Sequence, residues 1–592
     1  MQEISENNGS SCDTVCKSEK LRIRFSDETK LLCLAFLVGV IGGYGAIFFR
    51  SMIFGTQYVA MVHLRNLLGF MGPYAIVIIP AIGGLIVGLI TTYFASEAKG
   101  HGVPEVMGAV LMNEGRIRPS VSIAKILASA LCIGTGGSAG REGPIVQIGA
   151  AFASTVAQWL KLPPSMIKNL VAAGAAAGIS ATFNAPLGGV IFGLEVILGE
   201  YRALNFGTLV MSSVTAAIIA RVHLGDIHDF RLPSFHLVSP VEMIFYAVLG
   251  LLAAGIAVAF IKLLYDTEDI FDRFTAIPRW VKPAIGGLGV GGIAIFVPQV
   301  MGVGYDVMAE AIMGKYSLYF LFALVGVKLL STCLTLGSGG SGGIFSPSLF
   351  MGAMLGAGMG TLVHAWFPSV TASPGAYAIV GMGAVFAAGS RAPFTSVLIL
   401  FELTDTYEII LPLMIAVVVA TYVAAWLKTD TLYTEKLSRR GINVFILKEK
   451  NRLDEVRVSE IMGSNGEIVS HRLQFSQVLK MIGTTTRNCF IAVDDRGNLK
   501  GMVSFKDLRD AIFHRDADDY LIVDDIATNH VATLTPCETI NDAMRKFRMN
   551  DLDILPVVDK EHSRKVVGSI SRKDVLSLYE DIELNARGKC IL

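Results

Sequence analysis

The chain has 592 residues, 52% of them hydrophobic and only 17% charged, where a soluble domain usually carries about 25% charge. A mean hydropathy of +0.55 over the whole chain means that most of it must meet lipid. Lys plus Arg and Asp plus Glu balance at 50 each, and the 8 cysteines show no disulfide or zinc spacing, so a secreted, fibrous or nucleic-acid-binding protein is excluded.

Residues 1–29 are polar and unpatterned and lack the apolar core and small-residue cleavage site of a signal peptide. They read as an N-terminal tail, disordered or regulatory. Lys17, Lys20, Arg22 and Arg24 precede the first apolar run, which by the positive-inside rule leaves this end in the cytoplasm. From 30 to 440 apolar segments dominate. Leu31–Phe49, Tyr74–Phe94, Met243–Leu264 and Ile409–Trp426 approach or reach the roughly 20 residues of a membrane span. Val121–Ile133, Pro144–Leu160, Pro186–Leu198 and Pro347–Val363 are shorter and bounded or broken by Gly and Pro. Such segments mark transporter and channel folds whose helices end at mid-membrane, where irregular backbone must line protein or a water-filled cavity.

An internal repeat supports this. Gly140-Arg-Glu-Gly-Pro144 continues to Gly149 as Gly343-Ile-Phe-Ser-Pro347 continues to Gly352, and Ala185-Pro186 precedes Glu195 as Ala392-Pro393 precedes Glu402. Halves of this kind usually face opposite ways in the bilayer and hold their ligand between them. After Lys428 charge rises abruptly. The chain divides into a linker at 441–455, a soluble α/β repeat with copies at 456–515 and 523–580, and a tail at 581–592. Phe490-Ile-Ala-Val-Asp494 followed by Gly501-Met-Val-Ser504 returns as Ile554-Leu-Pro-Val-Val-Asp559 followed by Gly568-Ser-Ile-Ser571, each reading strand, turn, strand, helix.

This second repeat resembles a pair of CBS domains. The resemblance implies an adenine nucleotide between the copies, with Asp507 or Asp574 on its ribose and Ser504 and Ser571 beside them. Each Ser with its Asp also suits a capping box on the following helix, and the two readings are compatible.

In the membrane half, Gly100-His-Gly-Val-Pro104, Gly140-Arg-Glu-Gly-Pro144 and Gly342-Gly-Ile-Phe-Ser-Pro347 each place glycines at a helix start. Three such N-termini present free N–H groups and positive dipole ends, an anion site built without a full charge. Partial charges let a dehydrated anion leave, where a lysine or arginine beside it would trap it. Tyr433, in Lys428-Thr-Asp-Thr-Leu-Tyr433, is a fourth signal.

These stretches in this order, with Lys125 seventeen residues before Glu142 and Asn184-Ala-Pro-Leu, resemble the CLC family of chloride channels and transporters from about 31 to 440. The resemblance implies a polytopic α-helical membrane protein with inverted internal repeats, followed by the soluble CBS pair. It further implies a multi-pass homodimer with one pore per subunit, its N-terminus and CBS domains in the cytoplasm. The ligand is chloride or another small monovalent anion; neither enzyme activity, a metal nor a required cofactor is implied. Glu142 matches the gating glutamate, which competes with the anion and swings away when protonated. Gly143, Ile344 and Phe345 match the backbone donors and Tyr433 the hydroxyl donor, Tyr433 also suiting an interfacial belt tyrosine.

Two departures stand out. His101 occupies the position of a serine hydroxyl in chloride-selective members, so it either donates to the anion and titrates near neutrality or turns aside and leaves the ion to amides; selectivity among chloride, nitrate and other anions turns on it. Pro144 argues against the fluoride branch. Val196 stands where many proton-coupled members carry an inner glutamate, and Glu195 beside it points about 100° away on a helix. On that ground the sequence favours passive anion conduction gated by Glu142 and modulated by the CBS pair, with proton-coupled chloride exchange as the alternative.

Overall fold

The computed structural model describes residues 9–578 apart from 202, 226–237, 405, 443, 445–455, 464–466, 483–488, 506, 510–520, 530, 551 and 560–563, with backbone alone at 9–27, 203, 204, 467 and 482. Most of the 441–455 linker, the 581–592 tail, Cys590 and the side chains of Cys12, Cys16, Lys17, Lys20, Arg22 and Arg24 lie outside the described residues. The chain forms two compact units, Met1–Ile442 and Asn443–Leu592.

The first unit is helical and, apart from a single turn at Arg65–Leu67, its longer described helices count in eights. Its first half contains α1 (Gly9–Tyr58), α2 (Ala75–Tyr93), α3 (Val103–Met112), α4 (Ser120–Gly134), α5 (Glu142–Trp159), α6 (Pro164–Phe183), α7 (Pro186–Phe192) and α8 (Ala203–Leu224). The second contains α9 (Glu242–Arg273), α10 (Lys282–Phe296), α11 (Tyr305–Ile312), α12 (Leu318–Gly337), α13 (Phe345–Trp366), α14 (Pro374–Ser390), α15 (Pro393–Thr404) and α16 (Ile410–Leu427), after which α17 (Thr434–Arg439) closes the unit. Among the described residues eight helices are long and apolar enough to cross a membrane. Aromatic side chains such as Phe48, Phe54 and Trp426 stand exposed on them, as a lipid-facing surface requires. Prolines in the first turn of α3, α6, α7, α10 and α14 set where those helices begin. One element differs from the sequence reading: α1 starts at Gly9 and runs through the stretch read as an unpatterned tail.

Each helix of the first half corresponds to the one eight later. α1 packs on α8 as α9 packs on α16, α5 on α6 as α13 on α14, and α2 meets α10 and α7 meets α15 across the halves. The match reaches single atoms. A Cβ on Gly149 would lie 2.2 Å from the carbonyl oxygen of Gly174, and one on Gly352 2.2 Å from that of Gly381, so both pairs need backbone-to-backbone approach. The halves also cap one another. The Glu195 carboxylate, on the π-helical turn that follows α7, accepts from the N–H of Phe394 (3.3 Å) and of Thr395 (2.8 Å) and from the Thr395 hydroxyl (2.6 Å). That is the start of α15. Glu402, on α15, accepts from Leu187 N–H (2.9 Å) and Gly188 N–H (2.7 Å) at the start of α7. Reciprocal contacts of this form are those of a two-fold relation.

The second unit is a tandem α/β repeat. In the first copy β1 (Glu467–Ser470) runs parallel to β2 (Cys489–Val493) through a helix at Phe475–Ile482, and β2 pairs antiparallel with β3 (Leu499–Ser504). In the second, β4 (Ile554–Val558) pairs antiparallel with β5 (Val566–Ser571) after a helix at Ile540–Asn550. Both hairpins shift register at the same place, between Ala492 and Val493 and between Val557 and Val558. A helix follows each, at 507–509 and 572–578.

Candidate anion-binding site

Three glycine-flanked helix starts meet because their backbones bond to one another. Gly140 and Gly343 exchange N–H···O bonds of 2.8 and 2.6 Å, tying the start of α5 to that of α13. Gly100 N–H donates to Gly340 (2.9 Å) and its carbonyl accepts from Gly342 (3.3 Å), bringing in the loop before α3. Gly143 is required at the crossing, since a Cβ there would lie 2.2 Å from the His101 oxygen. Lys125, fully buried, secures the loop from behind: its ammonium donates to the carbonyls of Ala98 (3.0 Å) and Gly100 (2.7 Å). With those carbonyls turned toward a cation, the N–H ends of the helices are left to face the cavity.

His101, Glu142, Gly143, Ile344, Phe345 and Tyr433 line one pocket, so the structure brings all six residues of the sequence reading together. Val103, Val146, Ile179 and Phe192 complete an apolar wall, which strengthens every dipole pointing inward. Glu142 is the first residue of α5 and has no exposed surface. Its Oε1 accepts from the Tyr305 hydroxyl at 2.6 Å and stands 4.0 Å from Arg141 Nε. Its Oε2 has no hydrogen-bond partner among the described residues, nor has the buried Ser346 hydroxyl across Gly140. The His101 ring is held by a side-chain hydroxyl. Its Nε2 lies 3.2 Å from the Tyr265 hydroxyl, and that hydroxyl donates to Leu432 O at 2.8 Å. The ring must therefore donate from Nε2, and Nδ1, buried and without a partner among the described residues, is an acceptor unless protonated.

Tyr433 is buried and caps the start of α17, so an interfacial belt position does not describe it. Thr431 Oγ1 accepts from its N–H at 3.1 Å, and Leu432 N–H donates to Gly389 O at 2.9 Å. Behind it, Glu105 on α3 binds Lys436 (3.0 Å) and the two terminal guanidinium nitrogens of Arg440 (3.0 Å each).

In the second unit, Ser504 and Ser571 begin helices as capping residues. Asp507 Oδ2 accepts from Ser504 N–H (2.8 Å) and Oγ (2.6 Å), and Asp574 Oδ2 accepts from Ser571 N–H (3.0 Å). No group of three metal-ligating side chains occurs among the described residues. Cys33, Cys132, Cys333, Cys489 and Cys537 are free thiols.

Two residues, one bonded to Glu142 and one supporting the loop that carries the first, escaped the sequence reading. Lys328 repeats Lys125: it donates to Val300 O (3.0 Å) and Gly302 O (2.9 Å) before α11. It stands seventeen residues before Phe345, as Lys125 does before Glu142, and that spacing was its signal. Tyr305 follows the second glycine of Gly302-Val-Gly304, the copy of Gly100-His-Gly102.

A family model described as voltage gated chloride channel matches residues 83–425, and a CBS domain model matches 523–581. The chain is 36% identical to a putative chloride channel protein ClcB-like of Ralstonia nicotianae, over 69% of this chain and 97% of that one. It is 32% identical to the H(+)/Cl(-) exchange transporter ClcA of Citrobacter koseri, over 71% and 90%. Among solved structures it is similar to a slow cyanobacterial Cl-/H+ antiporter, with a TM-score of 0.64, 30% identity, and 71% and 99% covered. A eukaryotic CLC transporter, 22% identical, shares the fold over 92% of this chain and 98% of its own, with a TM-score of 0.60.

Proposed function

The chain belongs to the CLC family, whose members move anions across membranes, and from that premise we propose that it exchanges chloride for protons, with Glu142 as both gate and proton carrier. The observation that carries this reading is the occluded carboxylate. Glu142 has no exposure, and its side chain lies against the helix N-termini that would bind an anion. An anion must displace it or wait for its protonation, so anion and proton compete for one place. Relatives named as exchangers, at 32% and 30% identity, support the same reading.

Passive conduction is the second reading, and one residue favours it. Val196 is buried and offers neither proton nor lone pair. Glu195 beside it is engaged as the cap of α15. The sequence alone ranked conduction first on this ground; the relatives named as exchangers favour the reverse order. In the proposed arrangement the protein is a homodimer with its CBS pair in the cytoplasm. An adenine nucleotide between the copies would raise the melting temperature of the full chain.

The test is reconstitution in liposomes under a chloride gradient, with chloride and proton movement recorded together. Exchange predicts uphill proton movement that Glu142→Gln abolishes while chloride flux continues. Large chloride currents with no uphill proton movement would make the protein a channel.

A further inference from the structure

The loop that opens α11 copies the loop that opens α3. Gly304 has a φ of 89° where Gly102 has 86°, and each loop offers two carbonyls to its own buried lysine. The copies differ at His101 against Val303 and again at the residue after the second glycine. In the first half this is Val103, part of the apolar wall of the pocket. In the second it is Tyr305, whose hydroxyl donates to Glu142 Oε1 at 2.6 Å. The Arg141 guanidinium lies over the Tyr305 ring, 5.0 Å from its centre.

We propose that Tyr305 is a positioning residue for the gate: it latches the ionised Glu142 carboxylate inside the pocket and so sets the proton and anion concentrations at which the gate releases. This rests on the reading of Glu142 as gate. A phenol donating to a carboxylate makes a charge-assisted bond, and a donor to the charged form stabilises that form. Among the described residues the other titratable or charged groups lining the site around the carboxylate are Arg141 just ahead of its helix, His101 from the loop before α3 and Tyr433 just ahead of α17. From α13 comes the neutral hydroxyl of Ser346. Tyr305 is the one that bonds Oε1 directly in a second-half loop whose first-half copy carries no polar atom at that position. Repeat symmetry thus supplies the scaffold, and the break in symmetry supplies the latch.

Tyr305→Phe removes one oxygen and leaves the ring under Arg141. Chloride flux into liposomes is measured from pH 4 to 9, alongside the melting temperature of the purified protein. The pH of half-maximal flux should rise by about one unit, from the lost charge-assisted bond, with melting lowered by no more than the loss of that single bond accounts for. Tyr305→Val, which installs the residue of the first-half copy, should shift it in the same direction. In a Glu142→Gln background Tyr305→Phe should change nothing further. An unshifted profile in both Tyr305 variants, or a shift that persists in the Glu142→Gln background, overturns the latch. If Glu142→Gln alone retains the wild-type pH profile, the gate reading fails instead.

Discussion

Both units of this chain are duplicated, and in both the copies trade parts, yet they trade different chemistry. In the membrane unit the tokens are carboxylates: Glu195 caps the second half's α15 and Glu402 the first half's α7. In the C-terminal unit the tokens are valines. Val458, ahead of the first copy's strands, is buried with Leu534, Ile540, Phe547 and Leu555 of the second copy, and its N–H donates to Glu538 O at 2.9 Å. Val523, ahead of the second copy's strands, is buried with Phe475, Val478, Phe490 and Val503 of the first, and its N–H donates to Leu473 O at 2.9 Å. The solvent explains the difference. An apolar side chain gains little by leaving lipid for protein, so a membrane interface is specified by close backbone contact and polar bonds. In water, burying a valine contributes about 1.5 kcal/mol or more, enough to hold an exchanged segment.

Breaking the close backbone contact should cost most. Gly143→Ala sets a Cβ 2.2 Å from His101 O and must displace the loop or the helix start. Transport in liposomes should fall about a hundredfold, the usual scale for a displacement near 1 Å at a working site. Removing a cap comes next. Glu195→Ala strands two N–H groups and a hydroxyl and should lower stability by about 3 kcal/mol, and Glu402→Ala, with two donors, by about 2 kcal/mol. Thermal unfolding in detergent reads both, and Gln at either position, with one acceptor oxygen in place of two, should recover only part of the loss. The smallest effect belongs to the valines: Val458→Ala and Val523→Ala should each cost about 1.5 kcal/mol, seen as a lower melting transition of the C-terminal unit. Valine variants that matched or exceeded the glutamate variants would erase the contrast between the two units.

The sequence disclosed the parts of the membrane unit that are written in glycine and proline. The starts of α5, α7 and α13 lie at or within two residues of the expected positions, because Pro and Gly mark helix ends locally. α6 and α14 were not singled out. They are buried on every side, Leu170–Ser180 and Ala376–Ser390 almost without interruption, so they carry no apolar stripe to detect. The six pocket residues were named because each sits in a contiguous motif. Tyr305 and Lys328 were readable only by carrying the repeat beyond the two matches that revealed it. The role of Glu195 was not readable at all: sequence placed it correctly beside Val196, but its partners lie about two hundred residues further on. The exchanged valines were hidden for the same reason, since local periodicity says nothing of which copy a segment joins.

The distance between partners along the chain also orders events in time. Lys125 finds its carbonyls at Ala98 and Gly100, and Lys328 finds its own at Val300 and Gly302; each amine is hydrogen-bonded by backbone made shortly before it. Glu195 has no such resource. As the chain emerges it must enter the membrane with its carboxylate uncapped, and α7 with its first N–H groups open, until the segment from Phe394 to Glu402 has been added. The first half is therefore an unfinished object throughout the synthesis of the second. A ribosome that stalls between the halves leaves behind a fragment with an uncapped carboxyl group and open amides, the kind of product that membrane quality control removes.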